Sequence, residues 1–330
     1  VDSLDAALLL DSAAFRRRRE EIEKAFLASP VRPAAHVGGA YDRDPAALRD
    51  RLSRLLDEAA AGAPPLPEGP LAGLIAPHID MHRGGAGYGA AYRAAAALSR
   101  AETFVVLGTV HAAPPEPYTA TRKAYATPLG AVESDAAFLD RLEALYGARL
   151  FANEAAHRSE HSIEFQAVWI RFLAGERTVR IAPILCSSFH EAVAAGRDPS
   201  ADARVADFAA ALREVLAERP GAAVIAAADL AHLGPRFGDR EPVGDRTASW
   251  CAARDRAILE RAAAGDAAGF FAPIAEETDR RRICGVSAVW TLLEVLPPGA
   301  RGTLLHYGQA LDEERTTLVS FASVAFTSQS

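Results

Sequence analysis

Leu71-Ala72-Gly73-Leu74-Ile75-Ala76-Pro77-His78 decides the fold: six uncharged residues end on a proline and then a histidine. The run follows Gly62 to Pro70, a segment with four prolines that reads as a loop, and its length and apolar content are those of a buried strand. The same signature returns at Thr103 to Leu107, Val179 to Leu185 and Ala222 to Ala227, while residues 86–99, 134–146, 160–174 and 202–217 carry helical spacing. Strands alternating with helices predict an α/β fold, a three-layer αβα sandwich around a mostly parallel or mixed sheet. Two more helices, 246–264 and 284–296, precede strands at 302–309 and 315–326, which the acidic turn Asp312-Glu313-Glu314 joins as a hairpin. Upstream, a helix over 11–28 has Asp11 as its cap. A second starts at Pro45 behind Asp44, with Leu48, Leu52, Leu55 and Leu56 as its apolar stripe. No linker divides residues 34–330, which read as one domain; residues 1–33 read as a helical extension, the tail of an upstream segment.

Of the 330 residues, 50% are hydrophobic and 24% charged, the proportions of a globular chain with a substantial core. The net charge is −7, and Lys24 and Lys123 are the only lysines. A mildly acidic chain without a basic block offers no footprint for nucleic acid or anionic lipid. Arg16 to Arg19 is followed at once by Glu20, Glu21 and Glu23, as on a solvated helix face. No run of 18 apolar residues is uninterrupted, which argues against a membrane-spanning helix. Cys186, Cys251 and Cys284 are odd in number and widely spaced, which argues for a reducing compartment; with no secretion signal, the expected location is cytoplasmic.

Three of the nine histidines, His78, His111 and His232, stand just past the ends of predicted strands. In open α/β sheets the ligand crevice lies beyond the carboxyl ends of the strands, so these three are expected to converge. Imidazole serves equally as metal ligand and as general base near neutral pH, and both readings fit. Cys284 follows Arg280, Arg281 and Arg282 at an expected helix start, where helix dipole and guanidinium groups both favour a thiolate. Two neutral imidazoles and a thiolate make a three-ligand site with open positions, provided their donor atoms reach one point at metal-bond distances of about 2.0–2.4 Å. Asp229, three residues before His232, either orients an imidazole or caps the following turn. Around Ser162, Glu160 and Glu164 are expected on one helix face and His161 and Phe165 on another, with His161 and Glu164 as substrate-binding or supporting groups. Asp80, His82 and Arg83 are candidate rim residues; His36, His157, His190 and His306 are expected to be structural, as are Cys186 and Cys251.

The order of Ala76-Pro77-His78, Leu107-Gly108-Thr109-Val110-His111, Glu160-His161-Ser162-Ile163-Glu164, Asp229-Leu230-Ala231-His232 and Ile283-Cys284-Gly285 resembles the Memo family, also known as protein B of the AmmeMemoRadiSam system. His36-Val37-Gly38-Gly39-Ala40-Tyr41 is similar to that family's opening segment, and the resemblance spans about residues 34–328. It implies the fold of the class III (LigB-like) extradiol dioxygenases, with His78, His111 and Cys284 as metal ligands and His232 as acid–base residue beside Asp229. The implied function is oxygen activation on a small aromatic or phenolic compound by a mononuclear Fe2+ centre, with Cu+ as the competing ion because it suits thiolate and imidazole. Radical-SAM and AMMECR1-like proteins are the partners that the family context implies. Cys284 stands where the dioxygenases carry a carboxylate, and Ala112 where animal Memo has a further histidine. The first departure puts ring cleavage in question and keeps a second expectation open, a non-enzymatic adaptor with a vestigial or redox-sensing site. Metal-free hydrolysis with Cys284 as nucleophile lacks any marked oxyanion hole.

Overall fold

A nine-stranded mixed sheet forms the middle layer of the computed structural model, which describes residues 2–61, 63–112 and 114–328; Gly62, the first residue of the expected loop, lies outside them. In chain order the strands are β1 (Leu71–Ala76), β2 (Thr103–Thr109), β3 (Tyr118–Ala120), β4 (Glu133–Ser134), β5 (Arg180–Cys186), β6 (Ala222–Ala227), β7 (Asp229–Leu233), β8 (Arg301–Leu311) and β9 (Leu318–Thr327). The order β8-β9-β1-β6-β2-β5-β3 puts four parallel strands at the centre, with antiparallel β9 and β8 on one side and antiparallel β3 on the other. Every residue of β2 is buried, as expected of a strand covered on both faces.

Besides the short helices Asp2–Ala6 and His190–Ala195, the helices are α1 (Ala13–Ala28), α2 (Pro45–Ala60), α3 (Met81–Leu98), α4 (Ala136–Tyr146), α5 (Ser162–Ala174), α6 (Ala203–Glu218), α7 (Asp245–Ala263), α8 (Ala267–Glu276) and α9 (Val286–Val295). One face of the sheet carries α4, α6 and α9 through Phe138, Leu142, Phe208, Leu212 and Trp290. The other carries α2, α3 and α5 through Leu48, Leu52, Tyr92 and Trp169, whose indole stacks on Tyr92 at 5.0 Å. The protein is thus a single mixed α/β domain with helices on both faces of its sheet. Among the described residues no helix is long and apolar enough to cross a membrane.

The helix expected over 86–99 starts at Met81, because Asp80 caps it by accepting from the N–H groups of His82 and Arg83. Glycine lowers intrinsic helix propensity, which hides this first turn, but it also permits close crossing. A Cβ at Gly89 would lie 2.3 Å from the Leu55 carbonyl oxygen of α2. The cap of α1 is Ser12 rather than Asp11, which pairs with Arg16. Asp229 opens β7 instead of capping a turn, and neither β7 nor α8 stands out in the sequence.

The extension is joined to the domain more tightly than a boundary at residue 33 implies. Val31–Arg32 pairs in parallel with Ala124–Tyr125, and the Lys123 ammonium donates to the carbonyls of Leu27 and Ser29. Arg32 is fully buried; it is paired with Glu164 and donates to the carbonyls of His157 and Glu160. Removing one partner of a buried pair leaves an uncompensated charge, so Arg32→Met is expected to lower unfolding free energy by about 3–5 kcal/mol in urea titrations. Arg141→Ala, on the surface, should leave the urea midpoint unchanged.

Candidate metal centre

The parallel strands β1, β6 and β2 end side by side, and the residues following each reach a common point. Beyond β1, the His78 N–H donates to Asp229 Oδ1 (2.9 Å) and its Nδ1–H to the Ala227 carbonyl at the end of β6 (2.9 Å). A carbonyl only accepts, so the proton sits on Nδ1. Burial, with the charges of His161 and His111, pushes this imidazole's pKa down to about 3, leaving it neutral with a free Nε2 lone pair. Cys284 Sγ lies 3.2 Å from that nitrogen, and Asp229 Oδ2 lies 3.6 Å away. Of the imidazoles open to Asp229, it therefore faces His78. Burial pushes the Asp229 carboxyl up.

His111 follows β2 and is more open than the nearly enclosed His78. Its Nδ1–H donates to Glu160 Oε2 at 3.0 Å, and its backbone N–H meets the same oxygen at 2.9 Å. His161, stacked on His111 at 4.8 Å, approaches Glu160 Oε1 through Nδ1 (3.1 Å) and its backbone N–H (2.7 Å), and Ser162 N–H adds a third contact to that oxygen (3.0 Å). Burial opposes charge on Glu160, but hydrogen bonds from the two imidazoles and their charges outweigh it and hold the carboxyl far below its usual range. In return, burial works to lower the His111 pKa, but the Glu160 hydrogen bond and charge raise it above the ordinary value. One donor atom each from His78, His111 and Cys284 lies within 4.8 Å of the others, and His111, Glu160 and His161 form a second such group.

Cys284 sits just ahead of α9, but the arginines expected to stabilise its thiolate point elsewhere. Arg281 is buried against Asp255 and Glu277, Arg282 pairs with Asp239, and Arg280 covers the Trp250 ring. Burial and the Asp229 charge push the thiol well up, and its sulfur lies within hydrogen-bond reach of both His78 Nε2 (3.2 Å) and the Asp229 carbonyl (3.8 Å). Gly285 lets its loop press onto β7: a Cβ there would lie 2.6 Å from the Asp229 carbonyl oxygen, which accepts the Gly285 N–H at 3.2 Å.

His232 is half-buried, with Nδ1–H directed at the carbonyls of Leu230 (3.0 Å) and Arg282 (3.1 Å), which leaves Nε2 as its proton acceptor. Burial lowers its pKa, while the Asp229 charge works the other way.

Two expectations about α5 change. Glu160 precedes the helix and turns to the histidines, whereas Glu164 turns away, so the two share no face. Glu164 is fully buried, paired with Arg32 and accepting from Tyr41 Oη and the N–H groups of Ala35 and His36; it supports the His36 loop and has no exposed oxygen for a substrate. Asp80 is spent on its cap and on Arg83. His36, expected to be structural, stands 5.5 Å from the His161 ring at the mouth. His157 is structural, bonded to Tyr125 and Thr119. Glu160 is the group that sequence reasoning undervalued; the signal was a carboxylate directly before His161, with no hint of its reach to His111. A cleft of about 660 Å³ opens beside His111, lined by Val110, Ala112, Phe189, Arg197 and Arg204 among others.

The profile of the Memo-like protein family matches residues 32–325. A MEMO1 family protein of Aquifex aeolicus is 25% identical over 328 residues, covering 99% of this chain and 81% of the relative. One of Thermus thermophilus is 31% identical over 314 residues, 95% and 86% of the two chains, and one of Methanopyrus kandleri is 30% identical over 305 residues, 89% and 98%. Strand ends, ordered motifs and near full-length similarity agree, and the chain belongs to the Memo-like protein family.

Proposed function

We propose that this protein is a mononuclear metal oxidoreductase in which His78, His111 and Cys284 hold the ion, ferrous iron with cuprous copper as the alternative, and that it activates oxygen on a small aromatic or phenolic compound. One observation carries the reading: three soft or borderline donors stand within 4.8 Å of one another, each imidazole with Nδ1 engaged behind it and Nε2 free. A modest inward settling brings them to bond lengths of about 2.0–2.3 Å, and the two-imidazole, one-thiolate set suits iron or cuprous copper. When bound, such an ion supplies open coordination positions and one-electron chemistry.

The chain's own residues supply the rest. Ala227 and Glu160 fix the imidazole tautomers and ring planes, as acceptors behind metal-bound histidines do. Asp229 anchors the His78 backbone and lies beside the ring. His232 is held neutral by burial and would take a proton at Nε2, and the cleft that reaches His111 would hold a small molecule on that side. A second reading is a binding or redox-sensing protein without turnover, in which the Cys284 sulfur would be the oxidisable group.

Protein purified anaerobically is expected to carry close to one iron or copper per chain by mass spectrometry, and Cys284→Ser and His111→Ala to lose it. A wild type that stays metal-free after anaerobic reconstitution with ferrous iron overturns the proposal in favour of the second reading.

Metal uptake must also release protons. The Cys284 thiol and the His111 imidazole both have raised pKa values, and each gives up its proton to become a ligand, so affinity should rise with pH by up to about tenfold per unit for each proton displaced. In Glu160→Gln the support for the charged His111 disappears. The pH dependence just above the ordinary imidazole range should then fall by the share of one proton, leaving that of Cys284, in titrations monitored by calorimetry in buffers of different ionisation enthalpy.

A further inference from the structure

Away from the centre, Asp255 of α7 is wholly enclosed and gathers four side chains. One oxygen is paired with Arg281; the other accepts from Ser320 Oγ (2.6 Å), Tyr307 Oη (2.9 Å) and Cys251 Sγ (3.5 Å). Two of these contacts lead back to the centre. The Arg281 carbonyl accepts the His232 N–H at 2.7 Å, and Arg281 stands three residues before Cys284. Ser320 Oγ accepts the Ala231 N–H at 2.9 Å, between Asp229 and His232. The intervening loop has left-handed backbone at Thr278, Asp279 and Arg282, none of them glycine, so it keeps its shape only while outside contacts hold it. Besides Thr109 and the β7 backbone, the carboxylates outside the loop that hold it are Asp255 through Arg281 and Asp239 through Arg282, and only the first of these two pairs is wholly out of solvent.

We propose that Asp255 is a positioning residue: by pinning Arg281 and Ser320 it fixes both the Cys284 loop and the Asp229–His232 strand, and so holds Cys284 Sγ against His78 Nε2. A buried ion pair is weak evidence for stability and serves better to fix one arrangement among several. Only the consequence for metal rests on the function proposed above; the placement of the thiol does not.

The test is the iodoacetamide alkylation rate of each cysteine in the chelator-treated, reduced protein, mapped by peptide mass. Cys186 and Cys251 are buried and Cys284 is partly accessible. In Asp255→Asn the Cys284 rate should rise about tenfold as the loop opens locally, with Cys186 and Cys251 still protected and melting still cooperative. Where the orphaned arginine prevents folding, Asp255→Leu with Arg281→Met removes the pair without leaving a buried charge and should free Cys284 equally. Tyr307→Phe, which keeps the pair, should react like the wild type. A Cys284 rate within about twofold of wild type in the variant that folds, or all three cysteines reacting together, overturns the proposal, the latter because it marks general loosening.

Cobalt(II) titration gives the second arm. Asp255→Asn should weaken cobalt binding about tenfold and diminish the sulfur-to-cobalt absorption, but weaken nothing further when Cys284 is already serine, as coupled positions behave in a double-mutant cycle. An equal loss in both backgrounds overturns action through Cys284. A wild type that binds no cobalt counts against the metal reading and leaves the alkylation result to decide the role of Asp255.

Discussion

The placement of two imidazole protons governs this centre. His78 and His111 each give Nδ1–H to an acceptor behind the ring, the Ala227 carbonyl in one case and the Glu160 carboxylate in the other, and so both turn Nε2 to the same space. The first acceptor exists because β1 and β6 are neighbours with Ala76 opposite Ala227, which brings the carbonyl ending one strand to the ring following the other. The second exists because Glu160 is buried where five N–H groups converge, a setting in which a carboxylate stays charged despite desolvation. Sheet order, helix start and tautomer are one arrangement seen at three scales.

Cys284 is placed by different means. No strand end carries it; a loop with three left-handed non-glycine residues does, pressed onto β7 by Gly285 and held by charged groups outside the centre. Local backbone strain of this kind costs on the order of 1–3 kcal/mol per residue and persists only where surrounding structure over-determines it. Two imidazoles thus follow directly on the ends of sheet strands, while the sulfur depends on a clamp that can be loosened separately. A centre divided in this way can lose its thiol without losing its fold.

The strands and the convergence of His78 and His111 were legible because buried parallel strands are continuous apolar runs and the crevice of such sheets has a fixed side, whereas His232, expected past a strand end with them, lies inside β7. The start of α3 was not, because Gly84, Gly85, Gly87 and Gly89 depress helix propensity, while the close packing they serve, against α2 at Gly85 and Gly89 and against Phe321 at Gly87, shows only in the folded protein. Glu160 and Glu164 looked equivalent at i and i+4, and the spacing argument failed because α5 begins only at Ser162, after the first of them. The arginines before Cys284 misled for a related reason. Proximity in sequence says nothing of direction, and Arg280, Arg281 and Arg282 are all drawn off by Trp250, Asp255 and Asp239, partners distant in sequence.

Charge balance then bears on which ion the proposed centre would prefer. Without metal, Cys284 holds its proton and His111 is held toward its imidazolium form by Glu160, with the Asp229 carboxyl enclosed beside them. A divalent ion exchanged for those two protons leaves the local charge as it was. A monovalent ion leaves it one unit more negative, next to Glu160 and Asp229 and largely out of water, where uncompensated charge is costly. The donor set alone suits both ions; on this charge balance the proposed centre would favour a divalent ion. Glu160 is the source of that preference: a neutral side chain in its place would remove the support for a charged His111, fewer protons would be exchanged, and the balance would shift toward a single charge.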